Sequence, residues 1–145
     1  MSGGASTAQE LPAEELARLR ETFARVPYVG LLGFEFVRAE RGAATFALDV
    51  REELTRRGGI LHGGAVVSLL DTAAAFAVHT VIEPDARTVT VDLTVHFLRP
   101  ASDGRIEAHA RVLRRGRRVC ILSVEARDKA AEIIATSTMT YFIQI

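Results

Sequence analysis

One stretch constrains this chain more than any other: Gly58 to Thr80, GGILHGGAVVSLLDTAAAFAVHT. Paired glycines carry a single histidine and then feed a helix that is apolar nearly all round, over about residues 63–80. Such a helix must be enclosed by other structure. One carboxylate, Asp71, sits within it. A charge in apolar surroundings is costly unless it is paired, so Asp71 needs a purpose or a partner.

The rest of the chain reads as strands with one helical lead-in. Residues 1–10 are small and polar and are expected to form a disordered tail. Residues 11–26 have helical texture, with Glu14 and Glu15 near the start and a sparse stripe of Leu16, Leu19 and Phe23. Pro27 is expected to end that helix, and residues 28–33 form a short apolar connector. Residues 34–39 and 43–50 read as a hairpin turning at Glu40-Arg41-Gly42. After the helix, residues 88–98 alternate cleanly. Val89, Val91, Leu93, Val95 and Phe97 face one way; Thr88, Thr90, Asp92, Thr94 and His96 face the other. Three further strands follow, over residues 106–113, 119–127 and 133–143, joined as hairpins. A sheet can cover an apolar helix only by curling about it. The expected fold is therefore α+β, a single domain over residues 11–145 in which a curved antiparallel sheet wraps one long central helix.

Composition excludes several function classes. The 145 residues carry a formal net charge of zero, so no global field favours nucleic acid or an anionic membrane. No apolar run reaches a membrane span, and no basic-then-apolar leader is present. The single cysteine, Cys120, rules out an internal disulfide framework and fits a reducing, cytoplasmic setting. No Cys/His cluster has metal-ligand spacing. Near-neutral charge is compatible with self-association.

Three groups could carry chemistry. Gly63 and Gly64 at a helix entry leave free N–H groups that can bind an anion or a developing oxyanion; a plain glycine-rich loop has the same pattern. Asp71, with Leu69, Leu70, Ala73, Ala74 and Phe76 around it, suits a general base or nucleophile, since desolvation makes a carboxylate more basic; a structural aspartate bonded to Ser68 or Thr72 is the alternative. Arg114, Arg115, Arg117 and Arg118 flank Gly116 in a basic turn that suits phosphate oxygens or simply keeps a sheet edge soluble. Geometry adds a constraint. Gly63 and Asp71 are eight residues apart, about 12 Å along a helix, too far to serve one carbonyl. If both act, Asp71 of one subunit works with Gly63 of another, which requires at least a two-fold oligomer.

The stretch HGGAVVSLLDTAAA, the strand VTVDLTVHFLRPA and the strand order resemble the hotdog-fold acyl-CoA thioesterases of the PaaI-like, phenylacetate-pathway group, over roughly residues 28–143. The resemblance implies the same fold. It implies hydrolysis of an aryl- or medium-chain acyl-CoA, with coenzyme A as part of the substrate and no further cofactor or metal. It implies Asp71 as nucleophile or base, the Gly63 amide as oxyanion donor, His62 as the histidine that positions the loop or the thioester, and Thr90 as the hydroxyl that orients water or the nucleophile. By the alternation above, Thr90 faces away from the helix, so this role needs a bulge or a subunit edge. Gly64 and Leu61 border the expected substrate cleft, with Leu54, Val67 and Phe76 as further apolar boundaries. Arg56 stands where the family commonly has Asn or Gln, and it could reach Asp71 across a dimer, a substrate carboxylate or a coenzyme A phosphate. Arg115 and Arg117 are the candidates for phosphate contact. A homo-oligomer is expected, as a dimer of dimers. Two rival readings stay open: an acyl-thioester hydratase or dehydratase with His62 as base, and a non-catalytic acyl-CoA-binding module.

Overall fold

A computed structural model describes residues 9–145; residues 1–8 of the expected tail lie outside the described residues. The central helix, α3, runs Gly63–His79, close to the expected span. Its start is set by His62, an N-cap in extended conformation whose Nδ1 accepts the Gly64 N–H at 2.8 Å. Gly58 and Gly59 lead into it with φ of 88° and 74°, a left-handed pair that side chains resist. Its end is fixed by Thr80, which is buried. The Thr80 hydroxyl donates to Ala77 O at 2.7 Å and accepts the Gly42 N–H at 2.7 Å. Arg41 donates to Thr80 O at 2.5 Å and also pairs with Glu15. The helix end, the first hairpin and the N-terminal helix are thereby tied together.

Six strands form one antiparallel sheet: β1 Glu35–Glu40, β2 Ala43–Asp49, β3 Arg87–Phe97, β4 Arg105–Arg115, β5 Val119–Arg127 and β6 Ile133–Gln144. Their order is β1-β2-β4-β5-β6-β3, so β1 and β3 are the edges. The sheet packs on α3, most extensively through β2 and β4, and the expected hotdog architecture is present. Two shorter helices precede it, α1 Ala13–Ala24 and α2 Pro27–Leu32. The connector expected after Pro27 is thus a helix of its own: proline breaks α1 but suits the first turn of α2, and Gly33 closes it in left-handed conformation.

Two further differences shape the site. First, α3 is not enclosed all round. The sheet buries Ala65, Val66, Leu69, Leu70, Ala73, Ala74 and Ala77, while Val67, Ser68, Asp71, Thr72, Ala75 and His79 remain half-exposed. Those positions recur every three or four residues and form one stripe, partly roofed by α1 and α2. Second, β3 does not alternate in one phase. Its register against β6 shifts between Thr90 and Asp92, a β-bulge that adds a residue and inverts the faces beyond it. Leu93 and Val95 point inward as expected. Val89 and Val91 are instead half or more exposed, at 50% and 59%, and Thr88 and Thr90 take the inward positions.

The deepest part of the core is aromatic. Phe46 is fully buried, with ring centroids of Phe36, Phe23 and Phe76 at 4.8, 5.1 and 5.2 Å. This cluster joins α1, β1, β2 and α3 in one contact. We expect Phe46→Ala to cost about 3–5 kcal/mol, read as a fall in the urea midpoint. A loss under about 1 kcal/mol would show that the cluster does not hold α1 to the sheet.

Candidate functional site

Asp71 stands in the middle of α3 on the half-exposed stripe. It is held from two strands. Tyr141 on β6 donates its hydroxyl to Asp71 Oδ1, with the Asp71 backbone carbonyl also 2.7 Å from that hydroxyl. Thr90 on β3 donates to the same Oδ1 at 3.0 Å. The bulge makes the second bond possible, because it is what turns Thr90 inward. Oδ2 has no protein partner among the described residues. Two donors on one oxygen fix the carboxylate's orientation, while the other oxygen is left free among the described residues. Burial first, then the adjacent Asp71 charge and their hydrogen bond, push the Tyr141 phenol well above its ordinary value. Tyr141 therefore remains a donor at any working pH.

Tyr141 was not legible as a site residue. It lies on the inward face of β6, in step with Ala135, Ser137, Met139 and Ile143. The available signal was its chemistry: an inward tyrosine needs a partner for its hydroxyl, and Asp71 is the one charge on the helix it faces.

Asp71 opens into a cavity of about 290 Å³ whose apolar wall comes from Val26, Val29 and Phe76. Gly63 belongs to a different cleft, of about 300 Å³, bordered by Arg56, Leu61, Val66, Phe97 and Arg99. The Gly63 N–H makes no hydrogen bond among the described residues, whereas the Gly64 N–H is taken up by His62. Gly63, Leu61 and Arg56 are thus together, Asp71, Thr90 and Tyr141 are together, and the two groups lie about two helical turns apart. Leu54 is buried in the core rather than lining either cleft.

Arg56 is exposed; it donates to Arg57 O at 3.3 Å and makes no contact with Asp71 of its own chain. Arg115 is engaged structurally. It donates to Val81 O at 3.2 Å, to Gly116 O and to Arg117 O, which ties the β4–β5 turn to the segment after α3. Within one chain this turn and Arg117 are at the opposite end of α3 from Gly63. Among the described residues no group of three or more His, Cys, Asp or Glu side chains is placed to hold a metal ion, and no helix is long and apolar enough to cross a membrane.

His79 shares the Asp71 cavity. Burial, then the nearby Arg18 charge, hold its imidazole below the ordinary value of 6.5. The unfolded chain then binds this proton more readily than the folded one. The contribution of His79 to stability is full above pH 6.5 and is lost as pH falls through the lower folded value. We expect the urea midpoint to drop from pH 7 to pH 5, and His79→Gln to flatten that drop. An unchanged slope in the variant would show that His79 is not the group responsible.

Comparisons with known proteins identify the family. The family described as "Thioesterase superfamily" matches residues 58–135, more than half of the chain. The medium/long-chain acyl-CoA thioesterase YigI of Salmonella typhimurium is 32% identical over 150 aligned positions, covering 92% of this chain and 97% of the relative. A thioesterase family protein from Silicibacter pomeroyi superposes with a TM-score of 0.84 at 31% identity, covering 88% of this chain and 96% of that one. The E. coli PaaI protein from the phenylacetic acid degradation operon gives a TM-score of 0.82 at 22% identity, over 89% and 92% of the two chains, a likeness of fold. The chain belongs to the thioesterase superfamily and is a thioester hydrolase.

Proposed function

We propose that this enzyme hydrolyses a medium-length or aryl acyl-CoA to the free acid and coenzyme A, at sites shared between two subunits. The observation that carries the reading is the separation of two complementary half-sites on one helix. One cleft offers a tethered carboxylate with a free oxygen; the other offers a free helix N-terminal N–H. In a two-fold pair, Asp71 of one subunit meets Gly63 of the other. The thioester oxygen accepts the Gly63 N–H, aided by the helix dipole, and its growing charge is stabilised there. Asp71 Oδ2 either attacks the carbonyl carbon or takes a proton from the water that does. The carbon–sulfur bond breaks, and the coenzyme A thiolate leaves and is protonated; on the nucleophilic route water then hydrolyses the acyl-Asp71 anhydride, releasing the free acid and restoring the carboxylate.

The exposed face of β3 supports pairing with a second copy. Val89 and Val91, on its outward side before the bulge, are at least half exposed, and the edge strand offers unpaired backbone groups. The acyl group would occupy the cavity beside Asp71, in keeping with the acyl-CoA substrate named for the YigI relative. Arg56 and Arg99 at the Gly63 cleft would meet coenzyme A phosphate oxygens. Arg115 and Arg117 would do so only from the partner subunit. The PaaI-like assignment and a dimer of dimers belong to the same proposal. A dehydratase would need His62 as base, yet its Nδ1 is already the acceptor that caps α3.

Two variants test the roles. Asp71→Asn is expected to lower kcat on octanoyl-CoA by on the order of 10²–10⁴ in a thiol-release assay. Equal rates would end the assignment. Gly63→Pro removes the proposed donor without breaking the helix: proline suits a first helical position, and His62 already has the extended ψ of 135° that a following proline demands. A loss of on the order of 10²–10³ in kcat is expected. Mixing the two inactive variants under subunit exchange should restore roughly a quarter of the activity, since half of the pairs would be hybrids with one intact site of two. No recovery despite demonstrated exchange would refute shared sites.

A further inference from the structure

The cavity beside Asp71 does not end at the carboxylate. It continues along α3 to His79 and along β3 to Thr88. Between its two polar ends the wall is Val26, Val29, Ala75 and Phe76, with Thr22 and Thr72 also lining the cavity; the Thr72 hydroxyl is taken up by Ser68 O at 2.8 Å. At the far end, His79 Nε2 and Thr88 Oγ1 are 3.4 Å apart, longer than a good hydrogen bond. The other imidazole nitrogen has no partner among the described residues. These are two poorly satisfied polar groups beside the apolar wall of Val26, Val29, Ala75 and Phe76.

Two rulers give the distance from the reacting end. Thr88 and Thr90 are two strand positions apart, roughly 7 Å, and Thr90 touches Asp71. Asp71 and His79 are eight helical positions apart, about 12 Å. The polar far end therefore lies roughly 7 to 12 Å from the carboxylate, the reach of a medium-length acyl chain.

We infer that His79 and Thr88 form a hydroxyl-reading subsite, which selects acyl groups of medium length that carry a hydroxyl near their far end. The inference rests on the acyl-CoA reading above and names its substrate class. A neutral imidazole has one donor and one acceptor, and a threonine hydroxyl has both. A guest hydroxyl can accept from one and donate to the other. Burial and the Arg18 charge keep His79 uncharged, so the pair suits a neutral hydroxyl better than a carboxylate; Arg18 itself does not line the cavity. An unsubstituted chain that reaches this end would cover both groups with only each other, 3.4 Å apart, as partners, which is costly. The subsite therefore favours the hydroxylated chain and penalises the plain one.

Calorimetric titration of Asp71→Asn, which binds without turnover on this reading, separates binding from chemistry. We expect ω-hydroxyoctanoyl-CoA to bind about tenfold more tightly than octanoyl-CoA. Adding Thr88→Val or, separately, His79→Leu should bring the ratio close to one without weakening octanoyl-CoA. Circular dichroism checks that each variant is folded, and the β-branched valine keeps the strand position intact if the helical substitution does not fold. Equal binding of the two ligands, a preference that survives both substitutions, or tighter binding of the ω-carboxylate analogue would each overturn the subsite. Thiol release from octanoyl-CoA by the wild type reports separately on the hydrolysis reading. If no thiol appears while the binding ratio holds, that reading fails and the subsite stands.

Discussion

A carboxylate on an otherwise apolar helix has to be held by groups brought from elsewhere in the chain. For Asp71 those groups are the hydroxyls of Tyr141 and Thr90, from two strands that are neighbours at one edge of the sheet. The rest of the molecule serves that arrangement. The Thr80 and Arg41 bonds fix the far end of α3, and the His62 cap fixes its start. With both ends set, the angular position of Asp71 is set as well. It lies on the stripe that the sheet leaves uncovered and not on the face that the sheet buries. An aspartate one position earlier would have stood in the place of Leu70, which is fully buried.

Both hydroxyls act on the same oxygen, which divides the carboxylate into a held atom and, on the proposed mechanism, a reacting atom. Mechanistically this matters because a nucleophile or base works best when its approach is fixed before the substrate arrives. The oxyanion side follows the same logic. His62 occupies the Gly64 N–H, and the Gly63 N–H is the one left over. A side chain at Gly64 would collide with the His62 ring, at 2.9 Å from Nδ1. The second glycine is thus explained by the cap it accommodates and not by the ligand.

Much of the fold was legible from residue pattern. The long apolar run, the glycine entry and the hairpin spacings placed α3 and all six strands within a residue or two, because each rests on local chemistry. Three things were not legible. Six residues that begin with a proline offer too little periodicity to announce α2. A sheet of six strands covers one side of a helix, and an apolar helix sequence does not say which residues are left out. The bulge in β3 changes the phase of the strand, while the sequence alternates through it undisturbed. Thr90 was recognised as a candidate and placed on the wrong face for that one reason. Tyr141 was missed because β6 looked like an ordinary buried strand. The separation of Gly63 and Asp71, by contrast, followed from helix rise alone, and the two distinct clefts agree with it.

The bulge also lets a single edge strand present different chemistry at its two ends. Before it, valines look outward and threonines look toward the helix; after it, the aliphatic side chains look in. One inserted residue therefore gives β3 two reading frames. Were the same residues paired straight through with no bulge, and Leu93 and Val95 kept inward, one frame would hold throughout. In the same stroke that pairing would draw Val89 and Val91 into the core, turn Thr90 away from Asp71 and strip the outward edge of its apolar patch. The residues proposed for catalysis and for self-association are in this sense written on one length of backbone, so a change of phase in this strand would alter both together.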